Sequence, residues 1–226
     1  NPVVSRLPKE RTFVTGSPMA EVLSAHLKQI DASKILSKLG LKKRGYILLS
    51  AHREENIDDE KNFMSLFTAI NEMAEKYNLP VLYSCHPRSR KRLDASGFKL
   101  DKRVIRHEPL GFFDYNHLQS NAFAVVSDSG TLPEESSFFT SVGRSFPAVC
   151  IRTSTERPEA VDKGCFIIVG IDKNSLPGAV QLAVEMNEAG DYGVPVPDYA
   201  DLNVSGKVVK IIRSYTGIVD KFVWRK

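Results

Sequence analysis

The run Tyr-Ile-Leu-Leu-Ser, Tyr46 to Ser50, is a short apolar segment that ends in a polar loop, Ala51 to Asn56, and gives way to a helical pattern from about Glu60 to Lys76. The same unit returns as VLYSC (Val81 to Cys85), followed by a short basic helix, and as RVIRH (Arg103 to His107), followed by a helical stretch near Phe113 to Gln119. Further out, AFAVVS (Ala122 to Ser127) precedes a helix from about Pro133 to Val142, and PAVCI (Pro147 to Ile151) and CFIIVG (Cys165 to Gly170) extend the series. Short apolar runs between amphipathic helices are strands buried on both faces. The predicted fold is therefore α/β, a Rossmann-like parallel sheet with helices on both faces.

On the amino side of this series, Gly16-Ser17-Pro18 can open a helix whose apolar positions are Met19, Val22, Leu23 and Leu27, continued by Ile30 and Ile35. Residues 1–17 read as a connector, and residues 18–200 as the sheet domain. From Asp201 onward, Val208, Ile211, Ile212, Tyr215, Val219, Phe222 and Val223 recur at three- and four-residue spacing. This predicts a long C-terminal helix over 201–226 with one wide apolar face. That face either folds back on the sheet or bridges to a neighbouring domain beyond the Pro-rich stretch Gly193 to Pro197.

The 226 residues are 42% hydrophobic and 26% charged, the make-up of a folded globular chain. No apolar run approaches the roughly 20 residues that cross a bilayer, and no signal pattern opens the sequence, so a cytoplasmic, membrane-free protein is expected. Cys85, Cys150 and Cys165 are few, far apart and set in strand-like sequence without CxxC, so they read as buried apolar residues. A nucleophilic Cys85 beside His86 is the alternative. Arg88, Arg90, Lys91 and Arg92 cluster, but without stacking aromatics or a nucleic-acid motif they read as a solvated helix surface, and no nucleic-acid partner is expected.

Open parallel sheets bind ligands beyond the carboxyl ends of their strands. Here the segments after the strands are polar: SAHREEN (50–56), SCHPRSR (84–90), RHEPLGFF (106–113), SDSGTLPEE (127–135) and RTSTERPE (152–159). In the fourth, small hydroxylated residues and Gly130 lead directly into a helix with Pro133 in its first turn, where free backbone N–H groups suit a phosphate. Ser127, Ser129 and Thr131 add hydroxyls, and Glu134 or Glu135 can accept from ribose hydroxyls. Thr131 and Glu134 also have the spacing of a plain capping box.

His52, followed by Arg53, Glu54 and Glu55, can orient an imidazole near a phosphate and pass a proton, or be a hydrogen-bonded loop histidine. His86 carries the same two readings. The two lack zinc-site spacing, so no metal is expected. Arg157 can pair with a diphosphate or with a carboxylate of its own loop. Neither GxGxxG nor GxxxxGK[ST] is present, so dinucleotide cofactors and P-loop chemistry have no sequence support.

Taken together and in this order, SAHREEN, SDSGTLPEES and TSTERPEA resemble the carboxyl-terminal half of the non-hydrolysing UDP-sugar 2-epimerases, from about Gly16 to the end. The resemblance implies two Rossmann-like domains facing a cleft, as in the B-type glycosyltransferases, with UDP held mainly by the carboxyl-terminal one. It implies anti elimination of UDP to a 2-acetamidoglycal and re-addition after protonation of the opposite face of carbon 2, without cofactor or metal. His52 then matches the family histidine near the sugar and diphosphate, Ser129 and Gly130 the phosphate turn, Glu134 or Glu135 the ribose carboxylate, and Arg157 the arginine of the ERPE loop. Phe112 and Tyr115 fall where the family encloses uracil.

Gly130-Thr131-Leu132-Pro133 replaces the usual Gly-Gly-aliphatic-Gln. This variant resembles the branch that converts UDP-2-acetamido-2,6-dideoxy-L-talose into UDP-N-acetyl-L-fucosamine for capsule or O-antigen synthesis. The alternatives are a UDP-GlcNAc 2-epimerase giving UDP-ManNAc, a hydrolysing 2-epimerase, a GT-B glycosyltransferase and a non-catalytic UDP-sugar sensor. The family's amino-terminal domain, with the acidic residues assigned to the carbon-2 proton, has no counterpart in this sequence. The expectation is a chain that binds UDP and the UDP-linked amino sugar but does not turn it over alone; the resemblance also offers a homodimer, common in the family.

Overall fold

Ser17 Oγ accepts the Met19 N–H at 3.1 Å and starts α1 (Met19–Asp31) in the computed structural model, which describes residues 12–155 and 157–225. Residues 1–11 of the expected connector, Glu156 and Lys226 lie outside the described residues. The first helix does not run on to Ile35 as its apolar spacing predicts. It ends at Asp31, and Ser33 Oγ accepts the Ile35 N–H at 3.2 Å to start a separate turn, α2 (Ile35–Lys38).

The alternating units follow as β1 (Ile47–Ser50), α3 (Glu54–Ile57), α4 (Glu60–Tyr77), β2 (Val81–Ser84), α5 (Pro87–Ser96), β3 (Val104–His107), α6 (Phe112–Asn121) and β4 (Ala124–Ser127). Next come α7 (Leu132–Ser141), β5 (Ala148–Ile151), α8 (Pro158–Asp162), β6 (Ile167–Val169), α9 (Leu176–Glu188), α10 (Pro197–Ala200) and α11 (Val204–Val219), which closes in a π-helical turn, Asp220–Trp224. Local chemistry sets the ends of α4. Asp59 accepts the Asn62 N–H at 2.8 Å as N-cap, and Asn78 takes the left-handed conformation at the other end (φ 49°).

All pairings are parallel, in the order β3-β2-β1-β4-β5-β6. Alternation along each strand splits the core in two. Ile47, Leu49, Val81, Tyr83, Val126, Val149 and Ile151 face α4 and α9, meeting Phe63, Leu66, Phe67, Ile70 and Val180. Tyr46, Leu48, Leu82, Val125, Ala148 and Cys150 face α1, α6 and α7, meeting Leu23, Ile30, Leu118, Phe138 and Phe139. Burial of all this apolar surface is the main stabilising term, and helices on both faces confirm the expected α/β architecture.

The terminal helix leaves part of its apolar face bare, with Ile211, Tyr215 and Val219 half-buried. In α11 only Val204 is buried, while Val209 and Ile212 are each 59% exposed and Phe222 is 68% exposed. It does not fold back on the sheet. Tyr215 meets Phe13 edge-on, with ring centroids 4.7 Å apart. Among the described residues no helix is long and apolar enough to cross a membrane.

Candidate functional site

The strand order reverses between β1 and β4, the place where a doubly wound sheet opens a crevice at its carboxyl edge. There Ser50 pairs with Ser127, and the Asp128 N–H donates to Ser50 O at 3.1 Å, so the loops after the two strands lie side by side. Asp128 is wholly buried and ties them together. Its Oδ2 accepts the backbone N–H groups of His52 and Arg53, both at 2.9 Å, and the Asn56 amide at 3.1 Å. Asn56 also donates to Ile151 O at 3.2 Å, which draws in the end of β5. A buried carboxylate persists only when donors surround it, and these donors fix where the His52 and Arg53 side chains start.

Arg53 Nε donates to Asp128 O at 3.0 Å, and its guanidinium runs alongside the turn into α7: a Cβ at Gly130 would lie 3.4 Å from Arg53 Nη2. A cation thus flanks a helix start that carries the Ser129 and Thr131 hydroxyls, 2.9 Å apart. Such a start attracts anions through its free N–H groups and its dipole. The alternative that the Thr131 and Glu134 spacing allows, a capping box, does not form. Thr131 Oγ1 donates to Glu135 at 2.9 Å, and Glu134 turns to Arg157, Nη2 to Oε1 at 2.6 Å.

The two glutamates therefore have different surroundings. Glu135 is buried behind the turn and also accepts from Gln119 Nε2 at 2.8 Å; burial pushes its carboxyl above the ordinary value, against those two hydrogen bonds. Glu134 and Arg157 line a crevice of about 280 Å³ with Gly16, Asp198 and Tyr199. The Arg157 guanidinium stands 5.7 Å from the Tyr199 ring centroid, and the Tyr199 hydroxyl donates to Glu159.

Tyr115 joins the same network, with its phenol beside Ser127 and Ser50; burial, then the Glu135 charge, pushes it up. Phe112 diverges from it. The residue is 38% exposed, and its ring stacks edge-on with Phe113 and with His26 of α1. Glu54 also points away, to Arg88 at 2.9 Å on the surface of α5, and His86 caps α5 by accepting the Arg88 N–H at 3.3 Å. Neither is brought to the α7 turn by these contacts. Cys85 is buried and its thiol is pushed up by that burial, the opposite of what a nucleophile needs. In the basic cluster, Arg88 and Arg92 face Glu54, Asp58 and Glu60.

Asp128, Asn56 and Gln119 were not singled out from sequence. The available signal for Asp128 was a carboxylate placed directly after a buried strand, Ala124–Ser127, at the sheet's binding edge, where burial forces it to find donors. Among the described residues no group of three or more His, Cys, Asp or Glu side chains stands together as a metal site would.

Comparison with known proteins gives this geometry a setting. A UDP-N-acetylglucosamine 2-epimerase of Methanococcus maripaludis is 30% identical over 187 residues, 79% of this chain and 49% of its own length. The UDP-2,3-diacetamido-2,3-dideoxy-D-glucuronate 2-epimerase of Pseudomonas aeruginosa is 34% identical over 147 residues, 64% of this chain and 39% of its own. The chain spans about half the length of the curated relatives it matches. Among solved structures, UDP-N-acetylglucosamine 2-epimerase from Rickettsia bellii superposes with a TM-score of 0.87 at 35% identity, covering 99% of this chain and 59% of that one. That from Methanocaldococcus jannaschii, solved with UDP-GlcNAc and UDP, superposes at 0.79 with 26% identity, covering 94% and 57%. The family model described as UDP-N-acetylglucosamine 2-epimerase matches residues 3–213, and on that extent of agreement the chain belongs to the UDP-N-acetylglucosamine 2-epimerase family.

Proposed function

We propose that residues 18–200 form the UDP-binding half of a non-hydrolysing UDP-sugar 2-epimerase. The observation that carries this is the meeting of the Arg53 guanidinium with the Gly130 turn at the start of α7, a cation beside a helix start at the switch point of the sheet. Ser127, Ser129, Gly130, Thr131 and Arg53 hold the diphosphate, and His52 stands at its sugar side. Glu134 or Glu135 accepts the ribose hydroxyls, the first paired with Arg157 and the second with Thr131 of the turn. Phe112, exposed beside Phe113 and His26, is the ring offered to the base, while Tyr115 backs the turn through Ser127 and Ser50, with Glu54 and His86 at the outer rim. Epimerisation belongs to a chain of the relatives' length, whose second domain meets the bare face of α11; this half binds UDP without turnover.

The family relationship supports a UDP-linked 2-acetamido sugar as substrate. Gly130-Thr131-Leu132-Pro133 favours UDP-2-acetamido-2,6-dideoxy-L-talose and its product UDP-N-acetyl-L-fucosamine, in capsule or O-antigen synthesis. Conversion of UDP-GlcNAc to UDP-ManNAc fits the relatives' names equally. Calorimetric titration with UDP, against UMP and ADP, tests the binding site. Binding selective for UDP and weakened at least tenfold in Arg53→Ala and Arg157→Ala is expected, and the Glu134→Ala and Glu135→Ala pair identifies the ribose carboxylate. Binding that ignores all four changes refutes the assignment. Deuterium incorporation at carbon 2 of each UDP-sugar, by this chain joined to a relative's amino-terminal half, then separates the two substrates.

A further inference from the structure

The Asp128 carboxylate divides its work unevenly. Oδ2 is saturated by three N–H donors, from His52, Arg53 and Asn56. Oδ1 is just as buried and receives none of them. The group facing it is the His52 ring, with Nδ1 at 3.2 Å. A buried carboxylate oxygen left without a donor is costly, and His52 Nδ1 is the donor within reach.

We propose that Asp128 is the positioning residue of His52, holding the imidazole as its Nδ1–H tautomer so that the Nε2 lone pair lies on the far side of the ring. The half-exposed ring (46%) keeps Nε2 open to a ligand, while the carboxylate fixes which nitrogen is basic. When Nε2 takes a proton, the resulting imidazolium already sits against a fixed negative charge. The inference deepens the UDP-sugar reading and rests on it for its purpose, though the pairing itself can be read without any ligand.

Asp128→Asn separates orientation from scaffolding. The Asn oxygen must still accept the His52 and Arg53 backbone N–H groups, which leaves its amide nitrogen where Oδ1 stood. Two donors cannot face each other, so the ring is driven to the Nε2–H tautomer. The test is nitrogen-15 NMR of the imidazole rings in the whole chain at alkaline pH, with His52→Ala assigning the His52 signals among the five histidines.

The expected result is a pyrrole-type Nδ1 and a pyridine-type Nε2 in the parent, exchanged in Asp128→Asn, with the backbone amide spectrum of the sheet retained. A His52 already in the Nε2–H form, or one that keeps Nδ1–H in Asp128→Asn, overturns the proposal. If Asp128→Asn does not fold, the parent tautomer alone decides. Adding UDP to the same sample tests the other reading separately: Nδ1–H present with no response to UDP would count against the nucleotide-sugar site and leave the pairing standing.

Discussion

Burial pushes the Glu135 carboxyl above its ordinary value of 4.5, the neighbouring Glu134 charge adds to this, and the Gln119 and Thr131 hydrogen bonds oppose it. With its affinity for a proton higher folded than unfolded, Glu135 draws more protons into the native state, so stability falls as pH rises from the ordinary value through the raised one. Glu135→Gln removes that slope. Gln119 Oε1, now buried without a partner, can turn to accept from the new amide, while the new carbonyl still accepts from Thr131. Urea melts across pH should show a flatter curve for Glu135→Gln and a variant at least as stable as the parent at neutral pH; equal slopes would refute this. Sequence reached this carboxylate as one of a pair but could not give its surroundings. Thr131-x-x-Glu134 has capping-box spacing, yet the Glu134 carboxylate pairs with Arg157, 23 positions away, and the Thr131 hydroxyl donates to Glu135. Asp128 was passed over for the same reason: its partners are more than 70 residues distant.

The elements were far more legible than the contacts. Each strand appeared where its apolar run stood: Ala124 to Val126 of β4 and all of β5 are buried, which favours apolar residues on both faces. The helix α4 was predicted to within a residue, its apolar stripe being long and its ends capped. By contrast α9 went unread, although it packs Leu176, Val180 and Val184 on the sheet. Its Pro177 and Gly178 resemble loop punctuation, and tertiary packing overrode them. The short α3, α8 and α10 are single turns fixed by neighbours, beyond what periodicity can register. Phe67 is the residue on which α4 turns inward, with Phe63, Tyr83 and Phe98 rings at 4.7, 5.8 and 6.1 Å. Phe67→Ala should cost about 3–5 kcal/mol in chemical denaturation, through lost burial and the cavity left behind. A cost under about 1 kcal/mol would mean this core collapses freely around the gap.

For the molecule as a whole, α11 leaves Val209, Ile212 and Phe222 mostly exposed, apolar surface of the kind that suits a docking site. Because Ile212 and Phe222 touch so little, Ile212→Lys and Phe222→Lys should shift the thermal stability of this chain by less than about 0.5 kcal/mol. The same changes should weaken its capture of a separately made amino-terminal half from a family relative, measured by calorimetry. Unimpaired capture would place the partner's contact elsewhere.

The Ser17 N–H donates to Asp198 O at 2.8 Å, and the Val204 N–H donates to the Glu21 carboxylate. Helix α1, which covers one face of the sheet, is thus buckled shut by residues made some 180 positions later. On the ribosome, where chains grow at about 5–20 residues per second, α1 must therefore wait on the order of ten seconds for its buckle, a window in which that face of the young sheet is open to chaperones.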